Sequence, residues 1–225
     1  MGQHQSNHSL SESSLTSGVT AVLTEGRSTI HHQLMLSQQA KEPGQVLWVD
    51  ARDTASTYVL HDLADDPSLL DGITIARAWT AYQHHALVTH LVSHITPRTR
   101  LLVLPNVCSL YRDDDVRDPM AAKLLVATLS TLSELATAAS LPVLLTANSR
   151  EESTVQSYAT TIWSVQEATR KSATLSTIDP TSTWVQTTIP HWVEKADELL
   201  AFTDRCISNP VQQRLAVGVH SFRCD

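Results

Sequence analysis

LLVLPNVCSLYRDDD, residues 101–115, joins an apolar run to a polar, acidic segment. Its first four residues are all leucine or valine, which is typical of a strand buried on both faces of a sheet. Pro105 and Asn106 interrupt the run, because proline has no backbone N–H to donate to a neighbouring strand. This stretch therefore predicts a buried strand that leads into a loop.

Similar apolar runs and helix-like segments alternate on both sides of this stretch. The other predicted strands are residues 18–24, 45–51, 73–79 and 141–147. The predicted helices are residues 29–41, 54–64, 80–95 and 118–139. Such alternation predicts an α/β fold, with a mostly parallel sheet flanked by helices and ligands beyond the carboxyl ends of the strands.

The two ends of the chain differ in character from this alternating part. Residues 1–17 are polar and almost free of large apolar side chains, which predicts a disordered tail. Residues 18–225 are expected to form a single domain. From residue 158 onward the chain is rich in threonine and β-branched residues, and segments 158–168, 172–179 and 182–189 predict added C-terminal antiparallel strands.

Composition narrows the class of protein. Acidic residues outnumber basic ones by 23 to 16, and the basic residues are scattered, so direct DNA binding is disfavoured. The 3 cysteines lie far apart and predict neither a disulfide framework nor a thiolate metal site. No apolar segment is long enough to span a bilayer, and we expect a soluble, cytoplasmic protein.

Several segments, in order, resemble the core ATPase domain of RecA/RadA-type recombinases, particularly the archaeal RadA and RadB branch. ITIARAWTAYQHHALVTHL (residues 73–91) resembles a strand and helix in which Ala-Arg-Ala-aromatic precedes a His-Gln pair. LLVLPNVCSLYRDD resembles a strand-to-loop stretch that normally carries Asp-Ser before Leu-Tyr-Arg. The resemblance extends over residues 18–167 and implies a RecA-like P-loop NTPase fold.

The phosphate-binding loop of that family has only a remnant here, LTEGRSTI (residues 23–30). Gly26, Arg27 and Ser28 align with Gly-Lys-Ser, but arginine replaces the lysine and the leading glycine is absent. Two interpretations remain open. The segment is an ordinary turn in which Ser28 caps the next helix, or it is a weak anion or nucleotide site at the helix start.

Other positions depart from the family pattern in the same way. Pro105 stands where the family has its magnesium-supporting aspartate, and Asn106 stands where a small hydroxyl is usual. Arg52 replaces the glutamate that orients the attacking water, and arginine cannot act as a base. Asn148 corresponds to the glutamine that senses the terminal phosphate, while Asp50 ends a predicted strand where ligands bind.

The leading hypothesis is a non-catalytic RecA/RadA-like protein without a cofactor, an accessory or regulatory factor in DNA recombination or repair. It would act through protein contacts, with a RadA-like recombinase or with copies of itself. One alternative is a divergent ATP-binding protein or slow ATPase with magnesium, in which Arg27 replaces the lysine and Asp50 or Asp113 holds the metal. Another is a subunit that supplies Arg52 or Arg112 to a partner ATPase as an arginine finger.

A few single residues are also candidates for metal binding, for covalent catalysis or for packing in the core. His90 and His94 have the spacing of a two-histidine metal site, but no third ligand is indicated, and no metal site is expected. Cys108 has no adjacent histidine in sequence and is expected to pack as a small apolar residue. Trp48, Trp79 and Trp163 lie in predicted strands and are expected in the core.

Overall fold

The computed structural model describes residues 7–9, 13–26, 28–113, 116, 118–168, 173–178 and 219–220. Apart from Val219, these residues belong to one compact unit, Met1–Pro180 with His220–Asp225. A second unit, Thr181–Val219, lies outside the described residues except for Val219. The strand predicted at residues 182–189 is therefore also outside them.

Strands and helices alternate along the described chain, as predicted. The strands are β1 (Asn7–Ser9), β2 (Gly18–Thr24), β3 (Gln45–Ala51), β4 (Ile73–Ala78), β5 (Thr99–Leu104), β6 (Pro142–Asn148), β7 (Thr161–Ala168), β8 (Ala173–Ile178) and β9 (Val219–His220). The helices are α1 (Ile30–Lys41), α2 (Thr57–Leu63), α3 (Ala81–Leu91), α4 (Asp118–Ala138) and α5 (Glu152–Gln156).

The strands form one sheet in the order β1-β8-β7-β2-β6-β5-β3-β4-β9. All pairings from β7 through β2, β6, β5 and β3 to β4 are parallel. Strand β8 runs antiparallel to β7, and β1 runs antiparallel to β8. This confirms the predicted RecA-like α/β fold with a mostly parallel sheet. Of the predicted C-terminal antiparallel strands, β8 is antiparallel to its neighbour, whereas β7 pairs parallel with β2 and continues the parallel part of the sheet.

The central strands are buried on both faces because successive side chains point to opposite sides of the sheet. On β5, Leu102 belongs to a core cluster with Leu129 of α4, whereas Leu101 belongs to a second cluster with Leu34 of α1. Helices therefore cover both faces. The unbroken apolar run in the sequence is explained by this double cover.

The prediction of a disordered tail at residues 1–17 is wrong for residues 7–9 and 13–17, which the structure describes. Strand β1 pairs with residues 174–176 of β8, and Leu15 is buried. The Leu15 amide donates to Gln38 Oε1 at 3.2 Å, and Lys41 Nζ donates to the Ser13 carbonyl at 2.7 Å. One buried leucine and two polar side chains of α1 thus hold a segment whose composition is otherwise typical of disorder.

One tryptophan also departs from expectation. Trp48 and Trp163 are buried as predicted, but Trp79 is 58% exposed. Strand β4 ends at Ala78, and Trp79 lies in the bend before α3 rather than in the strand. Helix α3 is likewise shorter than predicted, because it ends at Leu91 instead of continuing to residue 95.

Candidate functional site

The candidate positions collect at one edge of the sheet. Strands β2, β6, β5 and β3 are consecutive neighbours and parallel, so their carboxyl ends lie side by side. The positions that follow or end these strands are Gly26 and Ser28 (β2), Asp50 and Arg52 (β3), Pro105 and Asn106 (β5) and Asn148 (β6). Arg27 lies outside the described residues.

The turn between β2 and α1 has the features of a helix entry. Gly26 has a φ of 70°, a left-handed conformation that glycine adopts without steric cost. Ser28 Oγ accepts a hydrogen bond from the Ile30 amide at 3.2 Å. The N-cap residue is Thr29, whose side chain makes no capping hydrogen bond, so the prediction of Ser28 as the N-cap is wrong by one residue.

Asp50, at the end of β3, is fully buried and organises the loop that follows it. Its Oδ1 accepts hydrogen bonds from the Thr54 hydroxyl, from the Thr54 amide at 2.9 Å and from the Ala55 amide at 3.0 Å. Its Oδ2 lies 3.6 Å from Arg77 Nε. Burial raises the pKa of Asp50, while the hydrogen bonds and Arg77 oppose that shift. Asp50 therefore orders the turn before α2.

Arg52 is turned towards the loop that follows β5. Its guanidinium forms an ion pair with Asp113 and donates to the Ser109 carbonyl at 3.2 Å. Arg52 has a φ of 63° and Asp53 a φ of 56°, two consecutive left-handed residues that are not glycine. Such strained backbone persists only where surrounding contacts hold it. The contacts of Arg52 with Asp113 and with the Ser109 carbonyl hold its backbone in this conformation.

The loop after β5 is also attached to β6. The Asn106 amide donates to Thr146 Oγ1 at 2.9 Å, and the Val107 amide donates to the Thr146 carbonyl at 3.0 Å. Asn106 has a φ of 50°, which asparagine tolerates better than most residues. Pro105 and Asn106 thus make the chain leave the strand in a sharp turn.

Asn148, at the end of β6, acts as a helix cap. Its side chain accepts from the Arg150 amide at 3.0 Å, and its own amide donates to Glu151 Oε2 at 2.6 Å, which completes a capping box. The other carboxylate oxygen of Glu151 lies 2.5 Å from Arg112 Nη2. Glu151 is buried, so this ion pair is shielded on the carboxylate side.

Beneath the loop, a buried hydrogen-bonded network connects it to two helices. The Tyr111 hydroxyl lies 2.9 Å from His84 Nδ1 and 2.8 Å from Thr128 Oγ1. Thr128 Oγ1 also lies 3.0 Å from His85 Nδ1. Burial lowers the pKa of His84 to about 4, so the network holds neutral imidazoles at neutral pH. Cys108, in the same loop, is buried, and burial raises its pKa to about 12.

These contacts suit the ordering of loops better than the binding of a magnesium-bound triphosphate. Asp50, Asp113 and Glu151 are each paired with an arginine. Among the residues that the structure describes, no three His, Cys, Asp or Glu side chains gather in a way that could hold a metal ion. Magnesium needs carboxylate or hydroxyl oxygens that are free to face it. The described residues therefore do not fit a magnesium ion bound to a triphosphate.

Sequence reasoning missed several of the residues that make these contacts. The partners of Arg112 and Asp50 are Glu151 and Arg77, and the network depends on Tyr111, Thr128 and His84. Only Glu151 had a local signal, since Asn148 and Glu151 have the spacing of a capping box. The others lie 17 or more residues apart, and only the folded chain brings them together.

No helix within the described part of the chain is long and apolar enough to cross a membrane.

Comparison with known proteins places the chain in a family. No curated protein matches the sequence. The protein-family model described as Rad51 matches residues 8–168, more than half of the 225 residues, and covers all strands from β2 to β7. The chain therefore belongs to the Rad51 family of RecA-like recombinases.

Proposed function

We propose that this Rad51-family protein is a non-catalytic accessory or regulatory factor in DNA recombination or repair, which acts through protein contacts and uses no nucleotide cofactor. The family supplies the pathway, since its RecA-like members act in recombination and repair. The observation that carries the non-catalytic part is the pairing of Asp50, Asp113 and Glu151 with arginines at the sheet edge. Phosphoryl transfer depends on positioned cationic and metal-holding groups at that edge.

The groups at the remaining positions support the same proposal. Pro105 has no side chain that could support a metal, and Arg52 has no basic atom to orient water. The Asn148 side chain is engaged by the Arg150 amide. A site lacking these contributors together is expected to lose hydrolysis by many orders of magnitude.

Membership of the family also favours a protein partner, because such proteins oligomerise or bind other proteins. We propose a Rad51-family ATPase or further copies of this chain as that partner, in the cytoplasm, and we propose that the chain belongs to the archaeal RadA and RadB branch. Direct DNA binding is not part of the proposal, because acidic residues outnumber basic ones by 23 to 16. A gel-shift assay with single-stranded DNA near micromolar protein and moderate salt is expected to show no retention.

Calorimetry and thermal denaturation with Mg-ATP test the non-catalytic part. At millimolar Mg-ATP we expect no binding heat, no shift of Tm and no phosphate release from the purified chain. Arg27→Ala is the informative variant, with Arg150→Ala as the control because Arg150 is exposed. Magnesium-dependent hydrolysis that Arg27→Ala abolishes and Arg150→Ala preserves would establish the alternative, a divergent ATPase that uses Arg27.

The arginine-finger role is a second candidate, favoured by the exposure of two arginines. The side chains of Arg52 and Arg112 are 46% and 55% exposed although both are paired with acids. If the chain is an accessory factor, its addition should change the turnover rate of a Rad51-family ATPase, and the variants Arg52→Ala and Arg112→Ala should keep that effect. For an arginine finger, one of these variants still binds the ATPase but no longer accelerates it.

A further inference from the structure

The loop of residues 105–113 is fastened to the strands on both sides of it by charged contacts. On one side, Arg52 at the end of β3 pairs with Asp113 and donates to the Ser109 carbonyl at 3.2 Å. On the other side, Arg112 reaches Glu151 beyond the end of β6 at 2.5 Å. Strand β5 lies between β3 and β6, so the two contacts extend in opposite directions from one loop.

The charges alternate along these contacts and balance one another. Asp113 and Arg112 are neighbours in the chain, and each pairs with a residue of opposite charge on a different loop. Glu151 is buried, which reduces screening of the second pair by salt on the carboxylate side, while Arg112 is 55% exposed. The first pair is half exposed, at 46% for Arg52 and 33% for Asp113, and is open to screening.

We propose that Arg52, Asp113, Arg112 and Glu151 form an ionic clasp that fixes this loop across the ends of three adjacent strands, so that the sheet edge is ordered without any bound ligand. The inference rests on the proposed function, because a chain that binds no nucleotide needs another means of ordering these loops. In the clasp, the charged side chains of this sheet edge pair with one another rather than with a bound ligand.

Four backbone amides in the loop report its order directly. The Asn106 and Val107 amides donate to Thr146, the Ser109 amide donates to the Asn106 carbonyl at 2.8 Å, and the Tyr111 amide donates to the Cys108 carbonyl at 3.3 Å. Amide hydrogen exchange measures how often such bonds open. If the clasp holds the loop, its loss speeds exchange here more than in the sheet interior.

Two single variants of the full chain open the clasp from either side. Glu151→Gln keeps an amide oxygen for the Asn148 cap but removes the charge that faces Arg112, and Arg52→Met removes the guanidinium that faces Asp113. We expect exchange at the Ser109 and Tyr111 amides to rise about tenfold in Glu151→Gln and about threefold in Arg52→Met, because the Glu151 carboxylate is buried whereas both partners of the other pair are partly exposed. Arg150→Met is the matched control and leaves exchange unchanged.

A salt series on the unaltered protein gives an independent measurement. High salt is expected to speed exchange at Ser109 to about the level of Arg52→Met and to have little effect on Arg52→Met itself. Equal exchange in both clasp variants, the control and the unaltered protein would overturn the clasp and leave Thr146 and the Tyr111 network as the anchors of the loop. Slower exchange on adding Mg-ATP to the unaltered protein would instead contradict the proposed function, whatever the variants show.

Discussion

Two pairs of adjacent histidines are buried on different helices, and the protein accommodates them in different ways. His84 and His85 of α3 are joined through Tyr111 and Thr128 by hydrogen bonds. His31 and His32 of α1 instead pack their rings against each other and against Trp48, with centroid distances of 4.2 to 5.4 Å.

The second pair has much less hydrogen bonding than the first. Within the described residues, neither ring nitrogen of His32 has a hydrogen-bond partner, and neither has His31 Nε2. Burial lowers the pKa of His31 and brings that of His32 to about 4, as it does for His84. The comparison teaches that an imidazole can be kept neutral in a core by packing alone, but only polar partners make its position specific.

Acidification is expected to have the largest effect, and it acts on both pairs. A pKa near 4 in the fold against 6.5 in the unfolded chain means that the unfolded state binds more protons between these values, so stability falls as pH drops from 6.5 towards 4. His32 and His84 each contribute about 3 kcal/mol to this loss. Asp50, whose pKa is raised, opposes it slightly.

Urea unfolding at a series of pH values from about 7 to about 4.5 measures this slope. His84→Gln is expected to reduce this slope but not to abolish it, because the pKa of His32 is also lowered. An unfolding free energy that is constant across this range would show that the buried imidazoles are solvated in the native state.

Removal of the packing partner comes next in size. Trp48 is fully buried against His31 and His32, so Trp48→Ala is expected to lower the unfolding free energy by about 4 kcal/mol. Trp79→Ala, at a 58% exposed position, should cost less than about 0.5 kcal/mol. Thermal or urea unfolding of the two variants side by side tests the contrast, and equal losses would contradict it.

Breaking the hydrogen-bonded pair should have an intermediate effect. Tyr111→Phe removes the hydroxyl between His84 and Thr128 and leaves two buried polar atoms with fewer partners, at a cost of about 2 kcal/mol. Tyr82→Phe serves as the control because Tyr82 is 44% exposed. Since Tyr111 precedes Arg112, hydrogen exchange of the loop should also rise in Tyr111→Phe and not in Tyr82→Phe.

The smallest effect is expected from removing an imidazole that forms no hydrogen bond with the described part of the chain. His32→Leu replaces such a ring by an apolar side chain and should change the unfolding free energy at neutral pH by less than about 1 kcal/mol. His84→Leu removes a hydrogen-bonded ring and should cost about 2 kcal/mol. If His32→Leu proved the more damaging, polar contacts rather than packing would hold His31 and His32.

Much of the fold could be predicted from the sequence because its signals are local. The bounds of β2 and β3 match the predicted runs, and α4 begins at the predicted residue, since hydrophobic period and turn formers act over a few residues. The errors, at Trp79, at the end of α3 and in the first residues, lie where tertiary contacts decide between burial and exposure.

The sequence by itself determined the fold class, the family resemblance and the residue types that stand at the strand ends. Those types alone raised the hypothesis of a site without its metal-supporting and water-orienting groups. Only the tertiary structure decided what these residues contact: Arg52 with Asp113, Arg112 with Glu151, and Tyr111 with His84 and Thr128. Charge pairing and buried hydrogen bonds depend on distances of a few ångströms between residues remote in the chain, and no local pattern specifies such distances.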